Sequence, residues 1–477
     1  MQLEPIFFIN GGVIIMSMFY RSSVPLNYKQ VVKLLGIKIL PPEENDNSFD
    51  KLVGLTEPKK YLTQILELLK NRDKPENQMA TLNRKLFFFG NAGVGKALTA
   101  YAFAKEANLP IIVIESEKFV NERYSALIHS LKVVLDQHKP AVVLLKDIEY
   151  ILNLGEDKSI SLFSKLTDYL NTYTDCVFIT TLSTVVTLPE FILSEKGFSL
   201  GLSFEDPDLE QREILVKRII KDFPHEEDID LSRVARNTFG MTGGIIHKLL
   251  RSSFNQALMD GKTKIDFESI DIVLSSSLYG YKKKLMTEKE RRLTAYHEAG
   301  HVIAGYFSDP DYKTSKVEIA HRSESIGLTI HETDEDKLTY VKKDYENDII
   351  CSFGGMAAED LILGTHSSGV SEDLRVASLV AEAMVKKFGM SELGPVSLGD
   401  KPTISLGEET KYYYSKDLAK KADELILEML CELQEKTNQL MLARKDALEE
   451  LTKALLEKET LYSDEITAIL EKYERNI

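Results

Sequence analysis

Three cysteines in 477 residues, Cys176, Cys351 and Cys431, leave the chain with little thiol chemistry. They lie far apart and follow no CxxC or paired spacing, which excludes a disulfide framework and a thiolate zinc site and fits a reducing compartment. Excess positive charge is missing too. Fifty-nine Lys and Arg against 74 Asp and Glu give a formal net charge of -15, so there is no basic field for a nucleic-acid backbone, and nucleic acid is excluded as a partner. Neither an internal repeat nor a low-complexity tract is evident. Long apolar runs are absent except for IFFINGGVIIMSMFY, Ile6 to Tyr20, which as a helix would cross roughly 22 Å at ~1.5 Å per residue, short of a full hydrocarbon core. The preceding MQLEP lacks the basic region of a signal peptide and the arginines of a transit peptide, whereas Arg21, Lys29 and Lys33 follow the run, as the positive-inside rule asks of an anchor. Residues 1–30 therefore read first as a single-pass membrane anchor; a buried N-terminal element and a signal-peptide core are the alternatives.

What is present is an ordinary globular composition, 43% hydrophobic and 28% charged, with length for roughly three domains at ~150 residues each. After a connector that includes PPEENDNSFD, over 31–50, short apolar runs of strand length alternate with amphipathic helical stretches. The runs are KLFFFG (Lys85 to Gly90), PIIVIES (Pro110 to Ser116), AVVLLKD (Ala141 to Asp147) and CVFITTL (Cys176 to Leu182). This pattern predicts a parallel α/β domain over 51–207. Helical patterns alone then fill 208–278, a small helical subdomain. A basic, polar joint, GYKKKLMTEKERR, spans most of the linker 279–292. From 293 to 477 the pattern is mostly helical, and its tail alternates Lys and Glu with apolar residues at helical spacing.

The strongest chemical signal is TAYHEAGHVIAGY, which carries His297, Glu298 and His301 as HExxH. Residues four apart share one face of a helix, so the two histidines can hold one zinc ion, and Glu298 can act as general base toward the attacking water. Small Ala299 and Gly300 leave room for a neighbouring element. A catalytic zinc site needs three protein ligands and an open position, so a distant His, Asp or Glu is required. A second signal, GNAGVGKA from Gly90, has the GxxxxGK spacing of a phosphate loop. Gly90, Gly93 and Gly95 permit the tight turn, and Lys96 can pair with terminal phosphates, but the position that should carry a magnesium-binding hydroxyl is Ala97.

Together these stretches resemble the FtsH-type AAA+ zinc proteases over nearly the whole length. The resemblance is carried by LVGLTEPKKYL (Leu52 to Leu62), the phosphate loop, FGMTGGIIHKLL, TAYHEAGH, FGGMAAEDLILG (Phe353 to Gly364), SGVSEDL (Ser368 to Leu374) and FGMSELGPV (Phe388 to Val396), in the family's order. It implies an AAA+ P-loop domain with a helical lid, followed by a mostly α-helical zinc peptidase domain. It also implies Asp373 as third zinc ligand, with Glu372 its adjacent competitor. Further implications are unfolded or membrane-protein substrates, a homo- or hetero-hexamer, and a membrane anchor with the catalytic domains on the cytoplasmic or matrix side.

The ATPase half departs from the family. Where the family's strand-end Asp-Glu pair belongs, AVVLLKDIEYI has Lys146 and Asp147; Ser183 replaces the Asn that positions the attacking water; and the arginine-finger segment reads SEKGF (Ser194 to Phe198). In the pore-loop segment FVNERYS, Arg123 stands where a substrate-gripping aromatic is expected, with Tyr124 beside it. The expectation is a zinc metalloendopeptidase whose AAA+ module retains elements for ATP binding but hydrolyses ATP poorly or not at all. The alternatives are a fully ATP-dependent protease and a non-proteolytic scaffold subunit of a mixed ring.

Overall fold

The computed structural model describes residues 37–70, 84–119, 124–153, 156–183, 197–198, 200–279, 286–320, 327–332, 339–398 and 414–473. The apolar run at Ile6 to Tyr20, Arg123, the side chain of Tyr124 and Ser194 to Lys196 lie outside the described residues. Among the described residues no helix is long and apolar enough to cross a membrane. The chain forms two compact units: the residues up to Pro207 with Gly240–Ile246, and Asp208–Phe239 with His247–Ile477.

In the first unit, all four predicted apolar runs form strands: β2 (Lys85–Phe89), β3 (Ile111–Glu115), β4 (Val142–Lys146) and β5 (Val177–Leu182). Two short strands missed by the pattern complete the sheet, β1 (Lys38–Leu40) and β6 (Leu200–Ser203), in the order β1-β3-β4-β5-β2-β6. Pairing is parallel except for β1 on β3. The strands are apolar on both faces because both are covered. Along β2, Phe87 joins one core with Val143, Leu145 and Phe178, while Leu86 and Phe88 join the other with Phe103, Val142 and Ile179. Helices α1 (Thr56–Lys70), α2 (Lys96–Glu106), α3 (Tyr124–His138), α4 (Glu149–Leu152) and α5 (Glu156–Leu170) intervene between the strands. The phosphate loop joins β2 to α2.

The second unit contains α6 (Leu209–Ile219), α7 (Leu231–Arg236), most of α8 (Gly243–Met259) and α9 (Phe267–Tyr279). Then come α10 (Glu288–Ser308), α11 (Lys342–Leu363), α12 (Ser371–Lys386), α13 (Lys416–Ala443), α14 (Lys445–Lys458) and α15 (Ser463–Leu470). The part after 293 is mostly helical, as the pattern predicts, but it also holds a three-stranded antiparallel sheet, β8-β7-β9, made of β7 (Lys313–Glu318), β8 (Leu328–Glu332) and β9 (Thr460–Tyr462). β7 reads KTSKVE and looks solvent-facing in sequence, yet five of its six residues are buried. The reason is pairing: Lys316 Nζ stands 2.6 Å from Asp271 of α9 and 3.5 Å from Glu318.

Helix α10 begins at a capping box. Glu290 N donates to Thr287 Oγ1 (3.3 Å), and Thr287 N donates back to Glu290 Oε2 (2.7 Å). Its inner face then packs closely on α11. A Cβ added at Gly300 would stand 2.7 Å from Ala358 Cβ, and one at Gly354 would stand 2.8 Å from Ala304 Cβ. This close approach, with Ala357 and Ala358 in the same core, decides where the next turn of each helix can place its polar side chains.

Candidate functional site

On α10, His297 and His301 face α11 and the start of α12. Each ring is oriented from behind: His297 Nδ1 donates to Glu359 Oε1 (2.7 Å) and His301 Nδ1 donates to the Cys351 carbonyl (2.8 Å), both acceptors on α11. Gly355 makes room for the first ring, since a Cβ there would stand 2.6 Å from His297 Cε1. With Nδ1 committed as donor, a neutral imidazole presents a bare lone pair at Nε2. The two Nε2 atoms are 3.1 Å apart.

Asp373, in the first turn of α12, closes the triangle, with Oδ2 3.2 Å from His297 Nε2 and Oδ1 3.6 Å from His301 Nε2. Its loop is tied to the same carboxylate that orients His297: Ser367 N donates to Glu359 Oε2 (2.5 Å) and Ser367 Oγ to Oε1 (3.2 Å). Glu359 is fully buried, and these donors hold its carboxyl below the usual range against the opposing effect of burial. Glu372 faces elsewhere, paired with Arg375 Nε at 2.8 Å.

His297, His301 and Asp373 offer ligand atoms that all lie within 4.8 Å of one another. Ligands ~2.0–2.1 Å from a tetrahedral zinc stand about 3.3 Å apart, so the 3.1 Å between the two Nε2 atoms, with one oxygen of the Asp373 carboxylate 3.2 Å from the first and the other 3.6 Å from the second, fits that ion. The donor set fits as well: three acceptor atoms converge with no donor among them, an arrangement that only a cation satisfies. Without metal that cation is a proton. Burial alone would lower the His297 pKa, but Asp373 and Glu359 outweigh it and push it up to about 10.

Glu298, the next residue on α10, turns toward β8 and is 7% exposed. Its Oε2 accepts from Thr329 Oγ1 at 2.6 Å. Gly327, just before β8, packs against the same carboxylate; a Cβ there would stand 2.5 Å from Glu298 Cγ and 2.6 Å from Cδ. Glu359, Cys351, Thr329 and Gly327 are the neighbours that sequence reasoning missed. Glu359 lies inside the FGGMAAEDLILG stretch and Thr329 two residues past Gly327, but neither is marked by spacing.

The phosphate loop takes up the left-handed conformations its glycines allow, with φ of 143° at Gly90, 87° at Gly93 and 102° at Gly95. Lys96, at the start of α2, is buried and turned back on the loop, its Nζ donating to Gly90 O (2.5 Å) and Asn91 O (2.8 Å). Burial lowers its pKa, and the nearby carboxylates of Glu149 and Asp147 oppose the shift. Thr242 Oγ1 donates to Ala92 O at 3.0 Å, and Gly244 N to Gly93 O at 2.9 Å. Lys146, at the end of β4, is directed at Glu115 on β3, 4.0 Å away. Asp147, at φ 56°, takes its N–H and carboxylate to Thr181 Oγ1. The Ser183 N–H donates to Glu149 Oε1, whose partner oxygen Oε2 is buried without a hydrogen bond. Ser183 thus contributes backbone, where the family's Asn would contribute a side chain.

A phosphate-binding α/β domain followed by an HExxH helix with a distant aspartate defines a metallopeptidase joined to a nucleotide-binding module. Family models bear this out: the ATPase family associated with various cellular activities matches residues 86–202, and peptidase family M41 matches 284–469. An ATP-dependent zinc metalloprotease FtsH from Caldicellulosiruptor bescii is 30% identical over 442 residues, 89% of this chain and 72% of that one. The protein of the same description from Thermus thermophilus is 27% identical over 440 residues, 89% of this chain and 70% of its own. The chain belongs to the FtsH family of zinc metalloproteases. Zinc is the family's metal, and its AAA domain is an ATP-binding module.

Proposed function

We propose that the chain is a zinc metalloendopeptidase of unfolded or membrane-associated proteins in which His297, His301 and Asp373 hold the metal and Glu298 is the general base. When bound, zinc supplies Lewis acidity that activates water and polarises the scissile carbonyl. The side chains do the rest. Glu359 and the Cys351 carbonyl keep both imidazoles turned to one point, and Glu298 takes the proton of the attacking water and passes it to the leaving amine. The observation that carries this reading is the convergence of three acceptor atoms beside a buried glutamate. A preference for extended polypeptide is supported by β8, which among the described residues is an edge strand of its sheet, runs past Glu298 and can pair with one more strand.

In this reading the AAA+ module, 51–207 with its lid at 208–278, binds nucleotide through Gly90, Gly93, Gly95 and Lys96 but hydrolyses it poorly or not at all. The peptidase occupies 293–477, after the linker 279–292. Ala97 brings no hydroxyl for magnesium, and Lys146 and Ser183 stand where a carboxylate and an amide are needed. AAA+ proteins typically assemble as hexameric rings, so the working form is a homo- or hetero-hexamer, anchored through residues 1–30 with its catalytic domains on the cytoplasmic or matrix side. A second reading, a fully ATP-driven protease, is favoured by one observation, the two carboxylates of Asp147 and Glu149 that act on Lys96. One assay separates them: cleavage of an unfolded protein such as casein, with and without ATP, with ATP turnover measured on the same preparation and Glu298→Gln as control. The proposal expects ATP-independent cleavage that the control lacks. Cleavage that requires ATP, with vigorous turnover abolished by Lys96→Ala, selects the second reading; activity in Glu298→Gln removes the assignment of the base.

A further inference from the structure

Glu298 is the side chain on which the proposed chemistry turns, and β8 approaches it with an alternation of its own. Side chains two apart on a strand share a face. Gly327 and Thr329 share the face toward α10: the first packs its bare Cα on the carboxylate, and the second donates a 2.6 Å hydrogen bond to Oε2. The terminal torsion of a glutamate is broad, so burial alone does not decide which oxygen faces the reacting atoms. One short hydrogen bond from the neighbouring strand does. Thr329 is itself held in register opposite Val317 of β7, so its hydroxyl is placed by the sheet. β-Propensity does not explain a hydroxyl at this position, since valine suits a strand equally well.

We propose that Thr329 is a positioning residue for the base: its hydroxyl fixes Oε2 of Glu298 and leaves Oε1, against which Gly327 packs without a side chain, as the oxygen that moves the proton. The inference rests on the reading of Glu298 as base. In the step concerned the water oxygen bonds to the scissile carbonyl carbon and its proton passes to Oε1. That proton then goes to the amide nitrogen as the C–N bond breaks, so the carboxylate is regenerated.

The test uses the full chain loaded with zinc, comparing Thr329→Val, Thr329→Ser, Gly327→Ala and Glu298→Gln in cleavage of an unfolded polypeptide. Zinc content and thermal midpoint are measured on each preparation. A misplacement of about 1 Å costs on the order of 100-fold, so Thr329→Val should lower kcat roughly 10- to 100-fold, with KM and zinc content unchanged. Thr329→Ser, which keeps the hydroxyl, should recover most of the loss. Gly327→Ala should lower kcat by crowding the carboxylate, again with zinc retained. Wild-type kcat in Thr329→Val, or equal losses in the Val and Ser variants, overturns the inference. If the valine variant does not fold, Thr329→Ala is read against Thr329→Ser by the same criteria. Activity in Glu298→Gln is a separate failure, that of the underlying reading.

Discussion

The proposed zinc-site cluster and the phosphate loop are each organised around the first turns or inner face of one helix, and they differ in what their polar side chains face. Around α10, His297, His301 and Glu298 are each held by another group behind them: Glu359 behind His297, the Cys351 carbonyl behind His301, Thr329 behind Glu298. The front atoms, two Nε2 and a carboxylate, are left to one another, and only a cation suits them. Around the phosphate loop the arrangement is inverted. Lys96 donates to the loop's own carbonyls, Lys146 is turned to Glu115, and the Asp147 carboxylate accepts from Thr181. Satisfied side chains need no ligand, whereas converging acceptors do. That contrast supports the proposal of zinc chemistry at the first region; at the second, where Glu149 Oε2 is left buried without a hydrogen bond, the proposal of weak or absent hydrolysis rests on Ala97, Lys146 and Ser183 in the sequence.

The sharpest way to break the comparison is to remove a front atom. Asp373→Asn should strip zinc and abolish cleavage, while Glu372→Gln, whose carboxylate pairs with Arg375, should keep both. Metal content after dialysis decides the point, and equal losses in the two variants would show that the ligand is misassigned. Removing a group from behind should do less. Glu359→Gln loses the charge that orients His297 and the acceptor for Ser367, and the expected fall in zinc affinity is about 10- to 100-fold. A competition titration with a chelator of known affinity measures it. An unchanged affinity would mean that the support behind the ligands is incidental.

The second region is tested by repair. Restoring Thr at 97, Asp at 146 and Glu at 147 together should raise affinity for magnesium-nucleotide. Turnover should stay low, because SEKGF still supplies no arginine, a group whose contribution is on the order of 10³- to 10⁵-fold. Nucleotide binding by fluorescence and phosphate release on the same sample separate the two. If repair restores both at once, the remaining departures are neutral.

How legible the molecule was follows the same division between front and back. The HExxH spacing names two ligands and the base because helical periodicity alone places them on adjacent faces. The apolar runs name the central strands because both faces of that sheet are buried. The supporting groups carry no such signature. Glu359 and Asp360 are neighbours of equal charge, and only the packing of Gly300 on Gly354 decides that Glu359 is the one turned inward. β7 was invisible for a related reason: Lys316 and Glu318 read as solvated residues until Asp271, distant in sequence, is brought against them. Asp373 came through the family resemblance, and the structure places it 3.2 Å from His297 Nε2.

The smallest expected effect concerns protons, and it sharpens what it means for the front atoms to require a cation. In metal-free protein Asp373 and Glu359 push the His297 pKa up to about 10, against about 6.5 for an unperturbed histidine. A pKa raised by folding stabilises the native state fully below the unfolded value, and that contribution fades as pH climbs through the folded value. Chelator-treated protein should therefore lose thermal stability between roughly pH 6.5 and pH 10. Zinc must expel the same proton, so its affinity should rise across that window by at most about tenfold per pH unit. Zinc-loaded protein has no proton left to lose at His297 and should lack this contribution to the slope. Thermal midpoints of the two forms measured across the window, with proton release on zinc binding followed in buffers of different ionisation enthalpy, give the answer. Parallel pH profiles for the two forms, or zinc binding without proton release at pH 7 to 8, would mean that the cluster does not hold a proton in the metal's place.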